Sequence, residues 1–277
     1  NKRIKFIMAY TTISKSSDYF NTKLYTGNSS TQNITGLNFQ PDWVAIKDRD
    51  ATNSFMTFDA VRGATKLLNW NTTNAESTQT PTLTSFNSDG FSIGNNTALN
   101  TNGNNLVAWN WKAGTSFTND ASSTGIGTID SSGSVNTDAG FSIVSFTGNG
   151  TSGASVKHGL STKPAMMIIK NRDEADSWQV YHHKNTSAPA TETLQLNETG
   201  ATSDTSNRWN DTEPTTAILT LGDNPTVNKN TIKYIGYIFS EIKGYSKFGS
   251  YTANNNSNGT FIYTGFKPAF AIFKKSS

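Results

Sequence analysis

One short pattern occurs three times along this chain. A proline opens an apolar strand-like run, and a lysine closes it six residues later. Pro41-Asp42-Trp43-Val44-Ala45-Ile46-Lys47 answers to Pro164-Ala165-Met166-Met167-Ile168-Ile169-Lys170, and both answer to Pro268-Ala269-Phe270-Ala271-Ile272-Phe273-Lys274. Upstream stand Tyr25-Thr26-Gly27-Asn28, Phe146-Thr147-Gly148-Asn149 and Tyr251-Thr252-Ala253-Asn254, with the threonine 15, 17 and 16 residues before the proline. The far end of the unit recurs too: Phe91 to Trp111 aligns without gaps onto Leu219 to Phe239 at an offset of 128. That alignment pairs Gly94 with Gly222, Asn96 with Asn224, Asn100 with Asn228 and Asn102 with Asn230. Between the ends, Leu68-Asn69-Trp70-Asn71 matches Leu194-Gln195-Leu196-Asn197, and Phe55 falls opposite Trp178. Matches in one order at one spacing mark an internal repeat, and a repeat constrains a fold more tightly than any single segment does.

The repeat divides the chain. Residues 1–10 form an N-terminal extension, 11–113 the first unit, 114–139 a linker or edge strand rich in Ser, Thr, Gly, Asn and Asp, 140–243 the second unit, and 244–277 the opening of a third. Met8 is the expected natural start, with the residues before it read through from flanking sequence.

Within each unit the apolar residues come in short runs of period two, separated by Gly, Asn, Asp and Pro. In Leu106-Val107-Ala108-Trp109-Asn110-Trp111, the residues Val107, Trp109 and Trp111 share one face, and the second copy puts Ile235, Tyr237 and Phe239 there. Asn102-Gly103 and Asp89-Gly90 are hairpin signals, because both positions tolerate positive φ. Only Phe58 to Leu68 approaches helical spacing, and a short helix or turn is expected there. The fold class is therefore all-β, as tandem antiparallel β-sandwich repeats; jelly-roll, lectin-like and immunoglobulin-like topologies are equally compatible with the pattern.

Charge and composition exclude several classes. The 23 basic and 20 acidic residues, net +3, are spread evenly, which suits neither a nucleic-acid stripe nor a polybasic membrane patch. Charged residues are only 16% of the chain, so neutral polar side chains carry its solubility. There is no cysteine, which removes disulfides and thiolate metal sites, and no apolar run reaches the ~18 residues of a membrane span. No cofactor motif is present: Gly148-Asn149-Gly150 precedes no helix.

The candidate sites are few. His158, His182 and His183 are the only histidines, and the last two, adjacent on a strand, face opposite sides and cannot easily share a metal. No serine sits in a nucleophile elbow. Asp48-Arg49-Asp50 and Asn171-Arg172-Asp173 end the proline-lysine strands, so Asp48, Asp50 and Asp173 are weak Ca²⁺ candidates, set against a plainer reading as turns closed by Arg–Asp pairing. The glutamates do not recur between copies, which disfavours a sugar-cleaving carboxylate pair. Trp43, Trp109, Trp111 and Trp178 are matched by apolar residues in the other copy and read as core. Trp70 and Trp209 lie beside Asn69, Asn71, Arg208 and Asn210, as a sugar platform would, although core packing at a sheet edge is the commoner use of such a ring. Because their surroundings do not recur, a ligand is expected there first.

Longer motifs carry a resemblance. Met8-Ala9-Tyr10-Thr11-Thr12-Ile13, Phe58-Asp59-Ala60-Val61-Arg62-Gly63-Ala64, Ala108-Trp109-Asn110-Trp111-Lys112-Ala113-Gly114, Trp209-Asn210-Asp211-Thr212-Glu213-Pro214-Thr215 and Gly244-Tyr245-Ser246-Lys247-Phe248-Gly249-Ser250-Tyr251 together resemble a family of marine bacteriophage structural or tail-fibre proteins. The resemblance implies a virion appendage on the particle surface, oligomeric, with other virion proteins and a host-surface receptor or glycan as partners, no nucleic acid and no membrane insertion. It also implies that the third unit continues past Ser277. It brings no catalytic residue, so an enzyme is not expected. A carbohydrate-binding module outside a virion is the alternative, and a glycan-cleaving enzyme the least favoured reading.

Overall fold

The computed structural model describes residues 11–277, so the expected start at Met8 and the extension 1–10 lie outside the described residues. The first unit contains β1 (Phe20–Thr26), β2 (Gln32–Thr35), β3 (Trp43–Asp48), β4 (Met56–Asp59), β5 (Lys66–Asn69), β6 (Ser77–Thr78), β7 (Leu83–Asn87), β8 (Gly90–Ile93), the single-turn helix α1 (Thr97–Asn100) and β9 (Asn105–Trp111). Residues 114–139 hold β10 (Thr115–Asn119), α2 (Ala121–Thr124) and β11 (Ser131–Asn136). The second unit follows with β12 (Phe141–Thr147), β13 (Ala154–Lys157), β14 (Met166–Asn171), β15 (Gln179–His182), β16 (Glu192–Gln195), β17 (Ser203–Asp204), α3 (Ser206–Trp209), β18 (Ile218–Leu221), α4 (Pro225–Asn228) and β19 (Lys233–Phe239). The protein is all-β, and its described residues form antiparallel sheets with no closed barrel among them. Between Phe58 and Leu68, where a short helix was conceivable, the chain ends β4, turns around Arg62 and enters β5.

The repeat is visible in the strand order. The large sheet of unit one runs β1-β9-β3-β4-β5-β6, and that of unit two contains β12-β19-β14-β15-β16-β17 in the same sequence. Each unit adds a small sheet, β2-β8-β7 in the first and β13-β18 in the second. The segment β10–β11 has no counterpart in unit one; it extends the second large sheet beyond β12, which makes that sheet eight-stranded.

Four layers result. In unit one, Ile34, Leu83, Phe91 and Ile93 of the small sheet pack against Val44, Ile46, Phe58, Leu106 and Ala108 of the large one. In unit two, Val156, Leu219 and Leu221 pack against Val144, Phe146, Met167 and Ile169. The two large sheets then pack on each other, Trp43, Ala45, Leu68, Trp70 and Trp111 meeting Phe141, Ile143, Ile168, Val180, Ile235 and Tyr237. Each large sheet is thus covered on both faces. That accounts for the unbroken apolar runs Trp43-Val44-Ala45-Ile46 and Met167-Ile168-Ile169, since a strand buried on both sides has no face to leave polar.

The recurring asparagines close the units. Asn100 Oδ1 accepts from the Asn28 N–H at 2.8 Å while its Nδ2 donates to Ser30 O and Gly94 O. Asn228 repeats this with the Asn149 N–H, Thr151 O and Gly222 O, each at 2.9 Å. Both side chains are fully buried, where an unpaired amide would cost about 1–3 kcal/mol. Gly27 and Gly148 are required beside them: a Cβ there would stand 2.1 Å from Thr101 O and 2.4 Å from Lys229 O. Asn96 and Asn224 cap α1 and α4, accepting from the Ala98 and Thr226 N–H groups. Asn71 and Asn197 accept from the N–H of Phe55 and Trp178, which explains why those four positions align.

Candidate functional site

The sequence candidates divide cleanly by burial. Trp70 is 8% exposed and stands between the two large sheets, 5.3 Å from Trp43 and stacked 6.1 Å from Phe55. Trp209 is 0% exposed, meets Tyr181 edge-on at 6.2 Å, and donates its Nε1–H to Glu192 O at 2.9 Å. A sugar platform must offer a ring face to solvent, and neither ring does, so the expectation of a glycan site at Trp70 and Trp209 is corrected. Their polar neighbours misled because adjacent residues on a strand or a single helical turn point in different directions: Trp209 points inward from α3 while Arg208 turns toward Gln179.

The acidic turns are also structural. Asp48 Oδ1 accepts from the Asp50 and Ala51 N–H groups, and Oδ2 from the Asn53 and Asn104 amides. Asp50 Oδ2 takes the N–H and side-chain amide of Asn105, and Asp173 Oδ2 the N–H of Lys233. These carboxylates fasten the turn after β3 or β14 to the start of β9 or β19, which is a structural use of the residues weighed as Ca²⁺ candidates. Among the described residues, no three His, Asp or Glu side chains converge as a metal site. The strand-closing lysines complete the same turns: Lys47 donates to Ala51 O and Asn53 O, and Lys170 to Asn171 O and Glu174 O. Burial pushes the Lys170 ammonium down to about 8.

His158 is buried, with Nδ1 accepting from the Leu160 N–H and Nε2 facing Thr215 O, each at 3.2 Å. That geometry fits only the neutral ring with its proton on Nε2, and burial pushes its pKa down to about 4. His182 is likewise pushed down to about 4, first by burial and then by His183. His183 meets Phe248 O at 3.2 Å.

A polar junction that local patterns did not reveal lies where the units meet. Asp59 and Arg62, both with fully buried side chains, form an ion pair within unit one. Tyr237 of unit two donates its hydroxyl to Asp59 Oδ2 at 2.6 Å. Arg62 also reaches Glu76 Oε2 at 3.2 Å, and Arg172 of unit two grips the same carboxylate through both oxygens, at 2.9 and 3.0 Å. Burial works against the Glu76 charge, but the two guanidiniums outweigh it and hold the carboxyl below its usual range. Tyr237 is raised far above the ordinary phenol by burial. Every charge here has a partner, and the cluster joins one sheet to the other. The signal in the sequence was that Glu76, Asp59 and Arg62 do not recur in unit two.

Two surface clefts stand out among the described residues, one lined by neutral side chains and one by charged ones. One of about 390 Å³ is lined by the neutral side chains of Ser29, Ser30, Thr31, Thr80 and Thr84 beside Pro81 and Asn95. Another, of about 370 Å³, lies between Glu241, Lys247 and Tyr263.

Residues 15–277 match the family described as Domain of unknown function (DUF7483). The chain belongs to that family. No curated protein and no solved structure matches it. Family membership fixes kinship but attaches no activity.

Proposed function

We propose that the protein is a structural component of a bacteriophage virion, a tail fibre or similar appendage, that presents stacked β units at the particle surface. One observation carries the reading: two copies of a single unit are locked sheet on sheet by an aromatic wall and a shared Arg–Glu–Arg junction. Repeats joined in this way give stiffness and reach, which an appendage needs and a soluble catalyst does not. The resemblance of the Trp109–Gly114 and Gly244–Tyr251 motifs to phage appendage proteins points the same way. A sandwich of jelly-roll or lectin-like kind belongs to this reading, supported by the first and last strands of each unit being neighbours in the large sheet.

In this role the protein works as a homo-oligomer among other virion proteins and meets a host-surface receptor or glycan through its Ser, Thr and Asn loops, not through its tryptophans. No cofactor enters the reading. Proteomics of purified particles of the encoding phage, with antibody-gold electron microscopy, tests it. Labelled appendages are expected; absence of the protein from the particle overturns the proposal.

A further inference from the structure

One place in the unit is closed in the second copy and open in the first, although the frame around it is common to both. The N–H groups of Gly94 and Asn96 donate to Thr82 O and Pro81 O, and those of Gly222 and Asn224 donate to Arg208 O and Asn207 O. A Cβ on Gly94 would stand 2.6 Å from Pro81 O, and one on Gly222 2.2 Å from Asn207 O. Pro81 therefore holds the position of Asn207, and Thr84, three residues on, the position of Asn210. Across from them, Asn100 donates to Ser30 O and Asn228 to Thr151 O, which puts Thr31 in the position of Ser152. In unit two, Ser152 donates its hydroxyl to Asn210 Oδ1 at 2.7 Å and bridges the two sides. In unit one, Thr31 and Thr84 make no such bond, and both line the cleft of about 390 Å³.

The open cleft offers hydrogen-bonding groups that the fold does not use. Ser29 Oγ accepts from the Asn102 N–H, but the side chains of Ser30, Thr31, Thr80, Thr84 and Asn95 bond to no group among the described residues. Farther along the same face of the small sheet the polar groups bond to each other, Ser92 donating to Asn33, Asn87 to Ser92 and Ser85 to Asn87. The surroundings carry no charge. Residues 24–35, 77–88 and 90–105 contain no Asp, Glu, Lys or Arg, whereas unit two has Arg208 where Thr82 stands and Asp223 where Asn95 stands. A charged ligand would give up its hydration here without a counter-charge to replace it. The fitting ligand is uncharged, donates and accepts at several points, and fills a space near the small end of the ~300–1,000 Å³ range of small-molecule sites. A sugar ring meets all three conditions, since each of its hydroxyls both donates and accepts.

We propose that the cleft between Ser29–Thr31 and Thr80–Thr84 binds a neutral hexose unit of a glycan. A ring hydroxyl takes the place that the Ser152 hydroxyl holds in unit two, linking Thr31 to Thr84, while Ser30 and Asn95 meet further hydroxyls. The proposal rests on the reading of a host-surface glycan as partner, and narrows it to one cleft of one unit and to uncharged sugars. Such neutral contacts are weak singly, and copies in a homo-oligomer add to one another by avidity.

The test titrates the full chain with the methyl glycosides of glucose, galactose and mannose and with N-acetylglucosamine, followed by amide chemical shifts. At least one sugar is expected to saturate, with shifts confined to 29–31, 80–84 and 94–95 while 151–153 and 207–210 stay unmoved. Glucuronic and sialic acids should bind about tenfold more weakly or worse. Thr31→Ser together with Thr84→Asn rebuilds the bridge of unit two, and should weaken binding about tenfold without lowering the melting temperature. Thr84→Val, which keeps the shape and removes the hydroxyl, should act in the same direction. Saturation by none of the sugars, shifts centred outside the cleft, tighter binding of the acids, or binding undiminished in both variants overturns the proposal. Particle proteomics decides the virion reading separately. A protein found on the particle that binds no hexose loses this cleft and keeps its structural role; one that binds hexose but is absent from the particle keeps the cleft and loses the virion.

Discussion

The two units share a strand order but not an outer wall. What they have in common lies inside each unit: Asn100 and Asn228 at the centre, Asn71 and Asn197 clamping β4 and β15, and Lys47 and Lys170 closing a turn. What differs faces the other unit. Trp43 stands opposite Met166 in the alignment, Trp70 opposite Leu196, and Trp109 opposite Tyr237. Unit one thus supplies most of the indole surface and unit two receives it with Ile143, Ile168, Val180 and Leu194. Two copies of one unit that meet face to face through unlike residues make an asymmetric joint. Divergence between repeats therefore marks the joint at Trp70, where the sequence suggested a ligand site.

Removing the joint should have the largest effect. Trp43→Ala deletes a side chain stacked 4.2 Å from Tyr237 and touching Trp70 and Trp111. A loss of about 3–5 kcal/mol is expected, with one calorimetric transition splitting into two. An unsplit transition would show that the units are not held together by this wall.

The shared centres should respond alike. Asn100→Ala and Asn228→Ala each strand one N–H and two carbonyls, and each should cost about 3 kcal/mol in urea unfolding. A difference above ~1 kcal/mol would break the equivalence of the units.

Acid should separate them. All three histidines lie in unit two, and His158 is held at about 4 in the folded protein against its ordinary value of 6.5. The unfolded chain then binds the extra proton between those values. Stability is fully present above pH 6.5 and declines as pH falls toward 4, by about 2–3 kcal/mol. His158→Gln should flatten that decline. If proton uptake on unfolding between pH 4 and 6.5 does not change in the variant, the neutral buried ring is not its source.

The smallest effect is expected from calcium. With both oxygens of Asp48 and Oδ2 of Asp50 taken by backbone and asparagine donors, millimolar Ca²⁺ should leave the melting temperature within about 1 °C of its value in chelator. A rise of several degrees, lost in Asp50→Asn, would restore the cation reading.

Much of this was legible in the chain itself. The period-two runs and Asn-Gly or Asp-Gly turns give an all-β protein, and the spacing of Pro41, Pro164 and Pro268 gives the repeat, because strand alternation and turn chemistry are local properties. The aligned asparagines could be counted from the sequence, and the coordinates supply their work, each carboxamide tying a loop to a helical turn. Trp70 and Trp209 were misjudged for a physical reason. Flanking polarity reports on neighbours that point elsewhere, and whether a ring meets water depends on what packs against it from a distant part of the chain.

The sequence by itself determined the unit: its strands, its turns, its repeated interior, and the residues that must be buried somewhere. Only the tertiary structure decided which face each burial serves. Trp43 and Val44 are adjacent and equally buried, yet one belongs to the joint between units and the other to the core of its own unit. Alternation tells that they point opposite ways, but not that both sides of the sheet are covered. That depends on a second sheet more than a hundred residues away, which no local pattern in either copy encodes.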